Sequence, residues 1–502
     1  MSKKRDILIV IFSTIIFAFL FHREDLGLNL FIFETIFFAW LLYSKRLQFK
    51  TKNQITVALA FITTSIATVV THSVFSYFIN YLVMVVFVGL LIYPQVKSLL
   101  NAFRISIISF FKSQIFFFES LLSTKVKGKN FGSYIWKFRM FFIPLIIIII
   151  FIAIYSGSNP VFNDLVSSFL SFISESLLAI FKNFDFLVVF TLIVGLVISN
   201  FMYIIISNKY IENEDLKATD SLVRVKKSIK RIFSITALKN EYKAGVFLLI
   251  VLNVLLLIVN CIDLNIVWFN FQWDGYFLKQ FVHEGTYLLI LSILISIALV
   301  LYFFRGNLNF YQNNKLLRVL SYVWIIQNAV LTLSVFVRNY RYIDYFALAY
   351  KRIGVILFLL LVLYGLYSVF VKVRDKKSAF YLFRVNTYAL FIVLVFSSFV
   401  NWDGLIAKYN FNNANKSFLH LNYMATLSDK ALPHLDKPIE ELDELYKIQQ
   451  EKFPFEEEFM RPFEYRQIIN NRKKEFKTEW ESKSFLEWNY AEYVAYKALF
   501  GY

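Results

Sequence analysis

The stretch VFLLIVLNVLLLIVNCIDLNI, residues 246–266, carries a single charged residue, Asp263, in 21 residues. A helix of about 20 predominantly apolar residues is what the hydrocarbon core of a bilayer requires. Runs of the same kind recur at 7–21, 28–43, 55–71, 73–93, 140–156, 186–207, 286–304, 319–337, 353–370 and 387–400, eleven in all. The shorter ones must borrow flanking residues or sit in locally thin membrane. Composition agrees with the reading. The chain has 502 residues, 58% hydrophobic, 19% aromatic and 18% charged, with mean hydropathy +0.57. Soluble domains carry about 45–50% apolar and 25% charged residues. The expected fold is therefore all-α, a multi-pass transmembrane helical bundle of about 11 spans. A cytosolic enzyme, a secreted domain and a disordered scaffold are excluded.

The net charge of +18 is uneven, with −3 from Asn401 to the end and +21 before it. A basic excess within a membrane domain points to cytoplasmic loops facing anionic lipid, and nucleic acid is not an expected partner. Lys45, Arg46, Lys50 and Lys52 follow the second run, and eight basic residues lie from Lys97 to Arg139. Nine more lie from Lys209 to Lys243, whereas 157–185 has only Lys182 and 267–285 only Lys279. This alternation places the N-terminus in the cytoplasm of a bacterial inner (plasma) membrane protein and the last hundred residues outside. The start, Lys3-Lys4-Arg5 followed by an apolar run, imitates a signal peptide but reads as an uncleaved first span. Cys261 is the only cysteine, so an internal disulfide cannot form.

These features give an expected division into four N-terminal spans (1–94) and an interfacial amphipathic segment (95–139). Two spans (140–207), a basic cytoplasmic loop (208–245), five spans (246–400) and an extracytoplasmic helical domain (401–502) follow. In 95–120, Lys97, Asn101, Arg104, Lys112 and Glu119 fall on about an 80° arc at helical spacing, the pattern of a helix in the headgroup plane. In 222–233, Leu222, Val225, Ile229, Ile232 and Phe233 repeat opposite Lys226, Lys227, Lys230 and Arg231. Both basic helices are expected to meet anionic lipid, with a regulatory role as the alternative. Four of the seven prolines lie beyond residue 400, where 415–432, 437–453 and 465–499 read as helices. Leu442, Leu445, Ile448 and Gln449 share one face of the second.

Candidate binding residues come from charges placed where lipid or topology disfavours them. Glu34 sits mid-run in LNLFIFETIFFAWLLY. An acid at a helix centre costs about 2.5–3.5 kcal/mol on insertion scales, so it implies a proton or cation relay or a hydrogen bond between helices. Asn80, Asn253, Asn260, Asp263, Gln327 and Asn328 read as interhelical glue. His283 and Glu284 stand at a span mouth beside Trp268, Trp273, Asp274 and Tyr276. A titratable His or an interfacial aromatic belt explains that grouping. The segment RNYRYIDYFALAYKR, 338–352, reads as an outward loop holding Arg338, Arg341, Tyr342, Tyr345 and Arg352 against the topogenic bias. Either Asp344, Glu284 or Asp274 pairs with these cations, or they bind an anionic headgroup or substrate. GxSxG and Walker glycine loops are absent, and no catalytic residue, metal site or cofactor is expected.

The stretches NEYKAGVFLLIVLNVLLLIVNCIDL (240–264), FVHEGTYLLILSILISIAL (281–299) and VRNYRYIDYFALAYKRIGVILFLLLVLYGL (337–366) resemble a family of polytopic membrane proteins of Bacteroidetes and Firmicutes, described as a domain of unknown function. So do WDGLIAKYNFNNANKSFLHLNYMATLSDKALPHL (402–435) and FLEWNYAEYVAYKAL (485–499), so the similarity covers residues 240–502. The resemblance transfers no catalytic residue. It implies that Arg338, Tyr342, Tyr345, Arg352, His283, Glu284, Gly285, Tyr409-Asn410 and Trp488-Asn489 belong to family motifs. The family carries a YGLT-like turn where this chain reads IDYFALAYKR, without the glycine. Residues drawn from both span mouths and tail imply that the tail docks on the membrane domain. The leading expectation is a non-enzymatic scaffold or sensor with a protein partner bound through 401–502. A transporter or lipid- or anion-handling protein comes second and a membrane-embedded transferase third.

Overall fold

In the computed structural model, the described residues are 3–122, 158–180, 185–224, 234–271, 275–454 and 459–501, with scattered positions from 144 to 156. Among them every extended element is helical, and the one bridge joins Ser221 to Lys377. The long helices are α1 Lys3–Phe21, α2 Leu28–Tyr43, α3 Lys52–Thr71, α4 Val74–Ile92, α5 Leu99–Leu122, α6 Pro160–Ile180, α7 Phe186–Tyr203, α8 Lys209–Lys217, α9 Ser234–Asp263, α10 Gly275–Phe303, α11 Lys315–Phe346, α12 Tyr350–Asp375 and α13 Ala379–Ser397. The tail adds α14 Trp402–Asn412, α15 Ile439–Lys452, α16 Pro462–Ser482 and α17 Tyr490–Phe500.

The fold is thus an all-α, membrane-embedded bundle. Seven described helices are long and apolar enough to cross a membrane: α3, α4, α7, α9 with the π-helical turn after it, α11, α12 and α13. Leu28–Tyr43 and Tyr287–Phe303 are apolar but shorter. The structure therefore supports seven of the eleven expected spans, and 140–156 falls largely outside the described residues. The basic run 225–233 and the segment 123–143 also lie outside them.

The chain divides into two compact units, Met1–Leu47 with Ile105–Asn208, and Gln48–Arg104 with Lys209–Tyr502. In the first, α1 packs on α7 and α2. Their close approach needs Gly195, where a Cβ would stand 2.7 Å from the Phe17 ring, and Ser199 donates to Ser13 at 2.9 Å. Arg46 ties the ends together, donating to Asp6 at 2.7 Å and to the Tyr203 carbonyl at 2.6 Å. Glu34 lies in this unit on α2, 2% exposed.

In the second unit α3 and α4 form a tight hairpin, and α9 to α13 share an apolar core built from Leu249, Ile293, Phe304, Leu317, Val362 and their neighbours. The polar stripe expected to face headgroups is partly used inside the protein. The Lys97 backbone and the Asn101 amide both donate to Asp215 of α8 at 2.8 Å, and Arg104 pairs with Glu214 at 3.1 Å.

The tail departs from the sequence reading in two places. Residues 415–432 are mostly turns, with a short helix Leu421–Met424 that His420 caps and a 3-10 turn Asp429–Ala431. The span 465–499 is broken between α16 and α17. There Ser484 and Glu487 form a capping box, and Asn489 accepts from the Glu492 N–H at 2.9 Å, so two helix starts interrupt what periodicity alone reads as one helix. Tyr465 is fully buried at the tail's centre, donating to the Leu435 carbonyl at 3.1 Å.

Gly89 of α4 meets the start of α5 so closely that a Cβ would lie 2.0 Å from the Ala102 carbonyl oxygen. Gly354 in α12 has nothing within 4 Å. Gly89→Ala should cost about 3 kcal/mol or more, because backbone cannot yield as a side chain does. Gly354→Ala should be neutral or gain up to about 1 kcal/mol from helix propensity. Thermal unfolding of both variants in detergent separates the two outcomes.

Candidate functional site

The segment 338–352 is mostly helical, and the expected loop shrinks to a tight turn. Helix α11 continues to Phe346 and α12 starts at Tyr350, leaving three connecting residues. Ala347 turns the chain with φ 60° and ψ −164°, a backbone region that glycine occupies freely and alanine does not. The turn is held by Arg352, whose guanidinium donates to the Phe346 carbonyl at 2.6 Å and to that of Ala347. Those are carbonyls at the negative end of α11, where a cation is favoured. The same guanidinium stacks over Tyr342 with its centre 4.6 Å from the ring.

Arg338 lies within α11, buried, and pairs with Asp263 at the end of α9. Ser334, one helical turn before Arg338, donates to the same carboxylate and receives the Trp268 indole N–H at 3.4 Å. Asp344 is exposed, Asp274 lies outside the described residues, and so do the side chains of His283 and Glu284. Arg341 faces the Phe271 ring at 5.4 Å, and Tyr345 packs edge-on against Phe453. Arg338, Arg341, Tyr342, Tyr345 and Arg352 are therefore brought to one end of α11, while Glu34 belongs to the other unit.

The tail closes over this turn. The Asn410 side chain of α14 accepts the Leu348 N–H at 2.7 Å and donates to the Leu348 carbonyl at 2.9 Å. Ser417 donates to the Asp344 carbonyl at 2.7 Å, and the Phe418 N–H to that of Tyr345. Ile343, Leu348 and Ile353 enter one apolar core with Ile406, Leu432, Tyr465 and Ile469 of the tail. Between turn and tail lies a cavity of about 430 Å³. Tyr287, Tyr342, Phe346, Tyr350 and Tyr423 supply aromatic walls, Asn339, Asn410 and His420 polar groups, and Lys351 and Arg352 positive charge.

Asp403 is a hub that sequence reasoning missed. It accepts from Tyr350 at 2.6 Å and from Ser428, with the Lys430 ammonium 3.6 Å away. Lys430 also donates to the Thr71 and His72 carbonyls at the end of α3, at 3.0 and 3.1 Å. Burial lowers the Lys430 pKa, against the opposing pull of Asp403. His72 approaches Glu492 at 3.4 Å, and Glu492 accepts from Lys483 at 2.6 Å and Asn489 at 2.8 Å. Burial alone would raise the Glu492 pKa. His72, Lys483 and Asn489 together outweigh it and hold the carboxyl below its ordinary value. The motif Tyr409-Asn410, which the resemblance implied, flagged the clamp on Leu348. Asp403, Lys430 and Glu492 gave no local signal.

Residues 55–437 match the model of a family described as a domain of unknown function (DUF4153). That is more than half of the chain, which therefore belongs to this family. The match reaches further into the first half than the quoted motifs and stops before 485–499. No curated protein and no solved structure matches the chain.

Two consequences can be measured. Asp263→Asn should destabilise the protein by about 3–5 kcal/mol, because it neutralises the carboxylate that faces the buried Arg338 charge. Adding Arg338→Met should restore much of that loss, giving a large coupling energy in a double-mutant cycle of detergent unfolding. For Glu492, a depressed folded-state pKa means the stabilisation is fully present above the unfolded carboxyl pKa of about 4.3. It is lost as pH falls through the lower folded-state value. Unfolding midpoints should fall below pH 5 in the wild type, and Glu492→Gln should be less stable at neutral pH with a flatter acid limb.

Proposed function

We propose, for this chain of the DUF4153 family, a non-enzymatic membrane scaffold or sensor in which the helical tail responds to what occupies the cavity at the α11–α12 turn. The supporting observation is that turn and tail share one apolar core and line one cavity jointly. A ligand that alters the cavity walls shifts the packing of residues 402–435, the segment that carries Asn410, Phe418, His420 and Tyr423. Aromatic walls with an exposed Lys351 suit an amphipathic ligand with an anionic end. The surface of the tail is then the place for a protein partner, on the extracytoplasmic side if the sequence's charge alternation sets the orientation.

Transport is the second reading, and Glu34, nearly fully buried on an apolar helix, is the observation that favours it. The test is purification of the tagged protein from its native membrane in mild detergent, read by mass spectrometry. The sensor reading expects a stoichiometric protein partner retained by wild type and Glu34→Gln. Lys351→Glu, which inverts the exposed charge at the cavity, should deplete that partner several-fold. A proteoliposome flux of an anion or lipid, abolished by Glu34→Gln and indifferent to the partner, would replace it with transport.

A further inference from the structure

A second cavity, of about 790 Å³, lies among α10, α12 and α13, away from the tail. It is a groove, lined almost wholly by apolar side chains along its length. Leu294, Phe358 and Leu390 mark one end. Arg305 and Lys372 mark the other, where α10 and α12 finish and α13 begins. From Phe358 to Lys372 the helical rise covers about 20 Å, comparable to the ~15 Å depth of one leaflet. The groove is therefore as long as one acyl chain lying along the bundle.

The cationic end is unusual. Lys372 is 3% exposed, its ammonium donates to the Lys377 carbonyl at 2.7 Å, and it makes no ion pair among the described residues. An ammonium has three donors and one is used. A buried cation in apolar surroundings is stabilised by an anion that also accepts hydrogen bonds. Arg305 stands over Tyr302 at 3.6 Å, and its nearest carboxylate, Glu241, is 3.8 Å away. The other two acids near this end are engaged as well, Asp375 by Arg374 and Asp220 by Arg384, while Lys372 adds a cation beyond these three pairs. Positive charge is thus in excess at the end of the apolar groove, where two apolar helices finish and a third begins.

We infer that this groove binds one anionic phospholipid, its acyl chain along α12 and its phosphate between Lys372 and Arg305. This site is separate from the turn-and-tail cavity and stands whether or not that cavity serves a sensor. A headgroup without net charge would fill the same apolar length but leave the Lys372 donors and the excess charge uncompensated.

The test is native mass spectrometry of the full chain in mild detergent, titrated with dioleoyl-phosphatidylglycerol or dioleoyl-phosphatidylcholine. The two share acyl chains and differ in headgroup. Wild type should retain one phosphatidylglycerol several-fold better than phosphatidylcholine. Lys372→Gln should abolish that preference, whereas Lys376→Gln, whose ammonium lies over Phe310 outside the groove, should keep it. Should Lys372→Gln fail to fold, Arg305→Gln reads the headgroup contact at an exposed residue, and Gly365→Leu fills the groove and should expel either lipid. Equal retention of the two lipids by wild type overturns the site. So does equal loss of preference in Lys372→Gln and Lys376→Gln, which would mean diffuse surface charge alone.

Discussion

Asn410 exchanges two hydrogen bonds with one residue, Leu348, and that exchange fastens the tail to the membrane-spanning part of its unit. The constraint behind it is general. A reversal between two apolar helices leaves backbone donors and acceptors without helical partners, and here the tail buries them away from water. A side-chain amide answers both needs of one residue, because it has a donor and an acceptor on one planar group. Arg352 answers the two carbonyls immediately before. With the turn satisfied from both sides, Ile343, Leu348 and Ile353 can be buried against the tail without stranding a polar group.

The same economy governs the charges within the spans. Arg338 and Asp263 lie on different helices, and each would be costly alone in an apolar bundle. Together they fix the rotation of α11 against α9, since a one-residue slip would turn one group toward lipid. Ser334 and Trp268 extend the contact, and the π-helical turn Leu264–Phe269 begins directly after Asp263. Such a turn widens the helix locally and sits where a side chain must be re-aimed. A buried pair of this kind adds little net stability over an apolar pair, so its contribution here is to register.

Hydropathy made the spans legible because it needs only the composition of a window. Helices α3, α4, α9, α11, α12 and α13 were all announced by their own residues, and 437–453 in the tail came within two residues of α15. The extent of α11 was not. Arg338, Arg341 and Arg352 look like loop residues when charge is read against topology, whereas the Asp263 contact compensates a buried arginine inside a helix. The break between α16 and α17 was written in Ser484, Glu487 and Asn489, which a search for periodicity passes over. The hub at Asp403 joins Tyr350, Ser428 and Lys430, and Lys430 in turn reaches Thr71. No local pattern encodes contacts between segments so far apart in the chain.

What remains for recognition at the cavity follows from what the fold has already used. Asp263 compensates Arg338, and the Arg352 donors go to carbonyls while its face lies on Tyr342. The two arginines that looked best placed to hold an anion therefore have structural employment first. Among the described lining residues, Lys351 is an exposed cation beside a set of tyrosine rings. A small hard anion would prefer a convergent set of donors, whereas an amphiphile uses one charge and a broad aromatic wall. Ala347 adds to this. A turn held in a backbone region alanine disfavours stores strain next to the cavity. Any occupant that lets the turn relax would be transmitted through Leu348 and Asn410 to the tail. Strain, clamp and cavity thus lie on consecutive residues, Ala347 to Tyr350.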